Sequence, residues 1–214
     1  MKPLVARRHF ATARKMNLND TSSALTLLET RRSGRPREMV PPGPDDAQLE
    51  RILAIAARTP DHGNLVPYRF VIVAPDQRDA LAALYMRALR DAEPDAPDSK
   101  VEKACANANA APVLVVLVSS PVRDHKIPVF EQELTVGAVG MNLLHAAHAM
   151  GFVGGWISGW PAYDPAVTAA FCDDGERIAG LIYLGSPGRP LEERVRPDLA
   201  RIVSRWDPEK ISHG

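Results

Sequence analysis

Pro112-Val113-Leu114-Val115-Val116-Leu117-Val118 is the stretch whose reading decides the fold. Proline opens it, and six apolar, mostly β-branched residues follow without interruption, which suits a strand covered on both faces. Such a strand needs layers on either side, and the flanking sequence offers them. On its C-terminal side, a polar loop over 119–129 holding His125, Lys126 and Pro128 leads into the longest predicted helix, over 130–150. That helix carries Leu134, Val136, Val139, Met141, Leu143, Leu144 and several alanines over most of its surface. It is expected to be buried on all sides, serving as a subunit interface as well as a core.

Gly151 is placed to close this helix as a left-handed cap. Residues 152–160, Phe-Val-Gly-Gly-Trp-Ile-Ser-Gly-Trp, read either as a glycine-softened strand with core tryptophans or as backbone that approaches a flat ligand closely. A short helix over 164–171 and a third clear strand over 178–185 follow. Pro187-Gly188-Arg189-Pro190 then releases the chain into a charged tail that either wanders or wraps a partner.

On the N-terminal side, 99–109 can form a helix, and 76–92 carries Leu81, Leu84, Tyr85, Ala88 and Leu89 at helical spacing. Residues 69–74 read as a buried strand. Asp45 with Gln48 three positions on is a capping-box pattern for a helix bearing Leu49, Ile52, Leu53 and Ala56. Between that helix and the strand lies a loop, 58–68, rich in Pro, Gly and Asn and holding Arg58 and His62; loops of this kind often carry function. Val40-Pro41-Pro42-Gly43-Pro44 is excluded from regular structure by its composition.

The first helix takes its apolar part from Leu25, Leu27 and Leu28, with Ser22 or Ser23 available as cap. It runs into Glu29-Thr30-Arg31-Arg32-Ser33-Gly34-Arg35. Two readings of this cluster stand side by side. Arg31 and Arg32 in the last turn would compensate the helix dipole. Alternatively, arginine forks and the Ser33 hydroxyl form an anion cradle suited to a phosphate monoester.

The 214 residues, 45% hydrophobic, suit one large domain over 21–214. The first 20, basic and without an acid before Asp20, read as a disordered extension, with Met16 as an alternative start. Lys plus Arg equals Asp plus Glu at 26 each, so nothing in the balance points to nucleic acid or an acidic membrane surface, and neither is expected as a partner. Two distant cysteines, Cys105 and Cys172, make neither a disulfide framework nor a metal spacing, so a reduced, cytoplasmic setting is expected. His145 and His148 lie three apart on the long helix without a carboxylate or cysteine to complete a metal set, and no metal is expected. No run is long and apolar enough to span a bilayer.

Four motifs, in this order, resemble the FMN-dependent nitroreductase family and most closely its compact YdjA-type branch. They are Arg31-Arg32-Ser33; Arg58-Thr59-Pro60-Asp61-His62 with Pro67; His125-Lys126-Ile127-Pro128 followed by Glu131-Gln132-Glu133; and Gly151-Phe152-Val153-Gly154-Gly155-Trp156-Ile157-Ser158. The resemblance covers about residues 25–185. It implies an α+β fold with a central, mostly antiparallel sheet flanked by helices, assembled as an intertwined homodimer with two FMN sites at its interface. The C-terminal tail would cross to the partner and add a strand to its sheet.

Carried over, Arg31, Arg32 and Ser33 would hold the phosphate and ribityl end. Arg58 and His62 would contact the flavin from the opposite subunit, and Trp156, Ile157 and Ser158 would line the isoalloxazine or ribityl chain. The end of the long helix, 146–151, would meet the nicotinamide donor. The branch commonly has Trp where this chain has Tyr68 and Phe130, and Arg where it has Ile157, which removes a side-chain donor. The activity implied is ping-pong reduction of nitroaromatics, quinones or similar electron-poor small molecules by NAD(P)H, with no protein side chain as acid or base. Rival readings are a flavin carrier or sensor, or a superfamily activity such as dehalogenation, azoline oxidation or flavin fragmentation.

Overall fold

The computed structural model describes residues 17–207. Most of the basic N-terminal stretch, 1–16, lies outside the described residues, Met16 included. Asn19 and Asp20 are folded onto the end of the first helix, their N–H groups donating to the Thr30 carbonyl and hydroxyl.

The chain runs α1 (Ala24–Thr30), a 3-10 turn at Pro36–Glu38, β1 (Met39–Val40), α2 (Asp46–Ala56), β2 (Tyr68–Val73), α3 (Arg78–Ala92), α4 (Asp98–Ala108) and β3 (Val113–Ser119). It continues with α5 (Val129–Ala149), β4 (Val153–Ile157), a 3-10 turn at Trp160–Ala162, α6 (Pro165–Ala169), β5 (Arg177–Pro187) and α7 (Leu199–Ile202). Every described strand pairing is antiparallel. β3 lies between β2 and β5, and the other edge of β5 carries β4 and then β1. This is the expected α+β architecture, with its central sheet flanked by helices.

Why 113–118 can be apolar at every position is plain from the two cores. Leu114, Val116 and Val118 point into one, with Leu81, Tyr85 and Ala88 of α3 and Val167 of α6. Val115 and Leu117 point into the other, with Leu49, Ile52 and Ala56 of α2 and Val136, Val139 and Leu143 of α5. Strand alternation thus serves both faces. β2 departs from its expected burial because it is an edge strand, pairing only with β3 among the described residues and leaving Ile72 exposed.

α5 is not buried on all sides within the single chain, and the interface expected of it has a face available. One stripe is not covered: Phe130 and Leu134 are 68% and 58% exposed, and Gly137 and Ala138 continue the same face. The helix is apolar all round, yet the chain supplies partners for only part of it. Leu25 and Leu28 of α1 are likewise exposed, and only Leu27 of the three leucines is buried.

The Asp45 capping box forms as predicted: Asp45 Oδ1 accepts from the Gln48 N–H at 2.8 Å, and Gln48 Oε1 accepts from the Asp45 N–H at 3.0 Å. Asp45→Ala is expected to cost about 1 kcal/mol of stability, read by chemical denaturation. A loss below about 0.3 kcal/mol would mean that water serves those N–H groups equally well. Gly151 closes α5 at φ 87°, where a side chain would be strained.

Candidate functional site

α1 is capped by Ser23, whose Oγ accepts from the Thr26 N–H at 3.0 Å. The helix stops at Thr30, and Arg31 is already extended, at φ −59° and ψ 135°. Arg31 and Arg32 therefore stand beyond the last turn, not in it, and the helix-dipole reading of them fails. The cause is Asn19. Its Oδ1 accepts from the Arg32 N–H at 2.6 Å, taking the donor a further turn would need, and its Nδ2 donates to the Arg32 carbonyl at 3.1 Å, for which Pro36 could offer no helical N–H. The Asp20 N–H donates to the Thr30 hydroxyl at 3.0 Å, which itself donates to the Thr26 carbonyl at 2.7 Å.

The extended arginine segment lies against β4. The Gly34 N–H donates to the Gly154 carbonyl at 3.0 Å, and a Cβ at Gly155 would sit 2.7 Å from the Gly34 carbonyl oxygen. Glycine at 155 is what permits this approach. The tail folds over the other side: Arg32 Nε donates to the Glu192 carbonyl at 2.6 Å, and Arg196 Nη2 donates to the Arg31 carbonyl at 3.2 Å and to Glu193 Oε1 at 2.8 Å.

Between these walls lies a cavity of about 370 Å³, lined by Arg31, Arg32, Ser33, Gly155, Trp156 and Ile157 among others. Arg35, Arg189, Arg194 and Arg196 bring its arginines to six, against the carboxylates of Glu38 and Glu192. Burial, then Arg196 and Arg32, disfavour the Arg31 charge, and Glu193 only partly offsets them. Arg31 Nη1 is buried with no hydrogen-bond partner among the described residues. Glu38 pairs with Arg35 and Arg189, and Glu193 with Arg32 and Arg196, so the cluster is partly compensated; its excess of arginines and the unmet Arg31 donor suit an anion.

Trp156 is tightly packed. Added Cβ atoms at Gly140 and Gly180 would fall 2.3 Å and 2.0 Å from its indole, whose Nε1–H donates to the Ala179 carbonyl at 3.1 Å. Behind the cradle, His148 of α5 is fully buried, and its Nε2 accepts from the Gly154 N–H at 3.2 Å. α5 thus holds Gly154, and Gly154 holds Gly34.

The structure brings together Arg31, Arg32, Ser33, Trp156 and Ile157; Ser158 does not line this cavity, and neither do Arg58 and His62. Arg58 is exposed just after α2. His62 is exposed too, and its Nδ1 lies 2.8 Å from Glu131 Oε2, tying the loop to the start of α5. Because that pair is open to water, His62→Ala is expected to change stability by less than about 1 kcal/mol. A larger loss on thermal unfolding would make His62 a fold residue. The same loop places Gly63, Asn64 and Val66 at positive φ, which for Val66 is strained backbone of the kind that clusters at functional sites.

Sequence reasoning missed Asn19, Arg194 and Arg196. The tail arginines had a faint signal in Arg194-Val195-Arg196, but nothing local says that they return to residues 31–32; Asn19 had none.

A profile of the nitroreductase family matches residues 28–186. The chain is 34% identical to the proposed NAD(P)H nitroreductase YdjA of Escherichia coli K12 over 165 residues, covering 77% of this chain and 88% of that one. In structure it is similar to a nitroreductase-like family protein from Bacillus cereus, with TM-score 0.76, 18% identity and coverage of 87% and 97%. It is also similar to a proposed nitroreductase from Desulfovibrio desulfuricans solved in complex with FMN, with TM-score 0.65, 20% identity and coverage of 86% and 96%.

Proposed function

Since this chain belongs to the nitroreductase family, we propose that it is an FMN-dependent NAD(P)H oxidoreductase acting on nitroaromatic, quinone or similar electron-poor acceptors. The observation that carries the reading is the arginine cavity beside the glycines of β4, with the unmet Arg31 donor behind it.

These residues suit FMN. Arg31, Arg32 and Ser33 hold the phosphate, and Arg194 and Arg196 close over it from the tail. Gly155 would leave room for the ribityl chain beside β4, Trp156 and Ile157 would line the flavin side, and Ser158, next along the chain, would meet the flavin beyond the cavity. Bound FMN would supply the redox chemistry that links NAD(P)H to the acceptor in a ping-pong cycle. For a nitroarene the first two-electron step balances as ArNO₂ + NAD(P)H + H⁺ → ArNO + NAD(P)⁺ + H₂O. The protein's share is binding, orientation and fixed positive charge, and no side chain has to exchange a proton.

The active form is a homodimer. The exposed stripe of Phe130, Leu134, Gly137 and Ala138 on α5 packs against its counterpart, and the free edge of β2 receives the partner's tail beyond residue 196, whose Leu199, Ile202, Val203 and Trp206 are exposed. Arg58 and His62 then reach the flavin across that interface.

Purified protein is expected to show a flavin absorbance band that bleaches on anaerobic NADPH or NADH and returns when a nitroarene is added. A band that persists with both nicotinamides would favour a flavin carrier.

A further inference from the structure

A second cavity of about 550 Å³ adjoins the arginine cradle and shares Arg35, Pro36 and Ile157 with it. Its size lies in the range of small-molecule sites, roughly 300–1,000 Å³. Leu89, Leu181 and Tyr183 floor it, and each is essentially inaccessible to solvent. The Tyr183 hydroxyl donates to the Asn107 carbonyl at 2.9 Å, so the floor presents ring and aliphatic carbon. Trp160 forms one wall, fixed edge-on against Tyr85 with ring centroids 6.1 Å apart.

The rim is of one sign. Arg35, Arg37, Lys100 and Lys103 line the cavity, and no Asp or Glu does. Arg35 and Arg37 lie 3.1 Å and 3.8 Å from Glu38, and Lys100 pairs with Glu93. Lys103 has no ion-pair or hydrogen-bond partner among the described residues. An apolar slot with a free ammonium at its mouth selects a flat apolar body bearing one anionic group.

We propose that this cavity binds the ring of an aromatic carboxylate, with Lys103 taking the carboxylate, so that the acceptors this enzyme prefers are electron-poor aryl acids. The proposal rests on the reductase reading for the word acceptor but not for the binding itself. Ile157 sits on the partition between the two cavities with Pro36 and Arg35, so the partition offers an aryl ring an apolar face beside a single shared cation.

Calorimetric titration of the FMN-loaded protein with benzoate and with benzamide, its uncharged isostere, tests the site without turnover. Benzoate is expected to bind at least about tenfold tighter, and Lys103→Glu to remove that preference, as expected for a charge-assisted contact. Arg51→Glu, the same charge change on the exposed face of α2, is expected to leave the preference intact. Equal binding of the two probes by wild type, or a preference that survives Lys103→Glu, overturns the site. Steady-state rates with 4-nitrobenzoate and 4-nitrotoluene read the acceptor claim: a kcat/KM ratio near one overturns it. A Lys103→Glu enzyme whose KM rises for NADPH and not for 4-nitrobenzoate assigns the cavity to the donor and overturns it too. Benzoate binding that depends on Lys103 in a protein that never oxidises NADPH or NADH would keep the site and sink the reductase reading instead.

Discussion

Replacing Arg31 with Ala is expected to raise the Kd for FMN by roughly 10- to 150-fold, the worth of one charge-assisted contact at about 1.5–3 kcal/mol. The apoprotein is expected to keep most of its stability. In the absence of an anion, burial and the neighbouring Arg196 and Arg32 work against the Arg31 charge, and its Nη1 meets no acceptor. Removing the guanidinium relieves that opposition while losing the packing of its stem. Affinity falling with stability retained is the signature of a ligand-binding arginine. The reverse pattern, FMN bound as tightly as wild type by a less stable protein, would make Arg31 a packing residue.

The second large effect is acid sensitivity through His148. Burial, then Arg31 and His145, push its pKa down to about 4, and the hydrogen bond from Gly154 only partly opposes them. Its Nε2 must stay unprotonated to accept from the Gly154 N–H. The folded-state pKa lies below the unfolded value near 6.5, so between them the unfolded chain binds more protons. The stabilisation is therefore full above about pH 6.5 and is lost as pH falls towards 4, on the order of 3 kcal/mol in total.

His148→Leu is expected to flatten this pH dependence, and at pH 7 to cost about 1–3 kcal/mol because the buried Gly154 N–H is left without an acceptor. Urea unfolding at several pH values measures both. Parallel curves for wild type and variant would show that His148 does not titrate differentially.

Local signals carried much of the fold. The unbroken apolar run of β3 announced a strand between two layers, Asp45 and Gln48 announced the start of α2, and Gly151 the end of α5. Each depends on residues a few positions apart. The end of α1 was misread because it is set by Asn19, which competes for the Arg32 peptide from outside the helix. That α5 would also serve an interface was legible from its composition, but which stripe stays open was not, because coverage depends on which other elements reach it.

The candidate site divides in the same way. Arg31, Arg32 and Ser33 stood out as adjacent residues of one chemistry. Arg196 meets the Arg31 carbonyl across 165 positions of sequence, and such pairings leave no periodicity to read. Ser158, Arg58 and His62 lie outside the cavity of a single chain; the two loop residues follow α2, and His62 is tied to the far end of α5 from Gly151.

Fluorescence titration of the apoprotein with FMN and with riboflavin, identical apart from the phosphate, tests the arginine cradle most directly. The cradle predicts FMN binding at least about 100-fold tighter, equivalent to roughly two tenfold steps of 1.4 kcal/mol from several arginine contacts. Equal affinity for the two would contradict it.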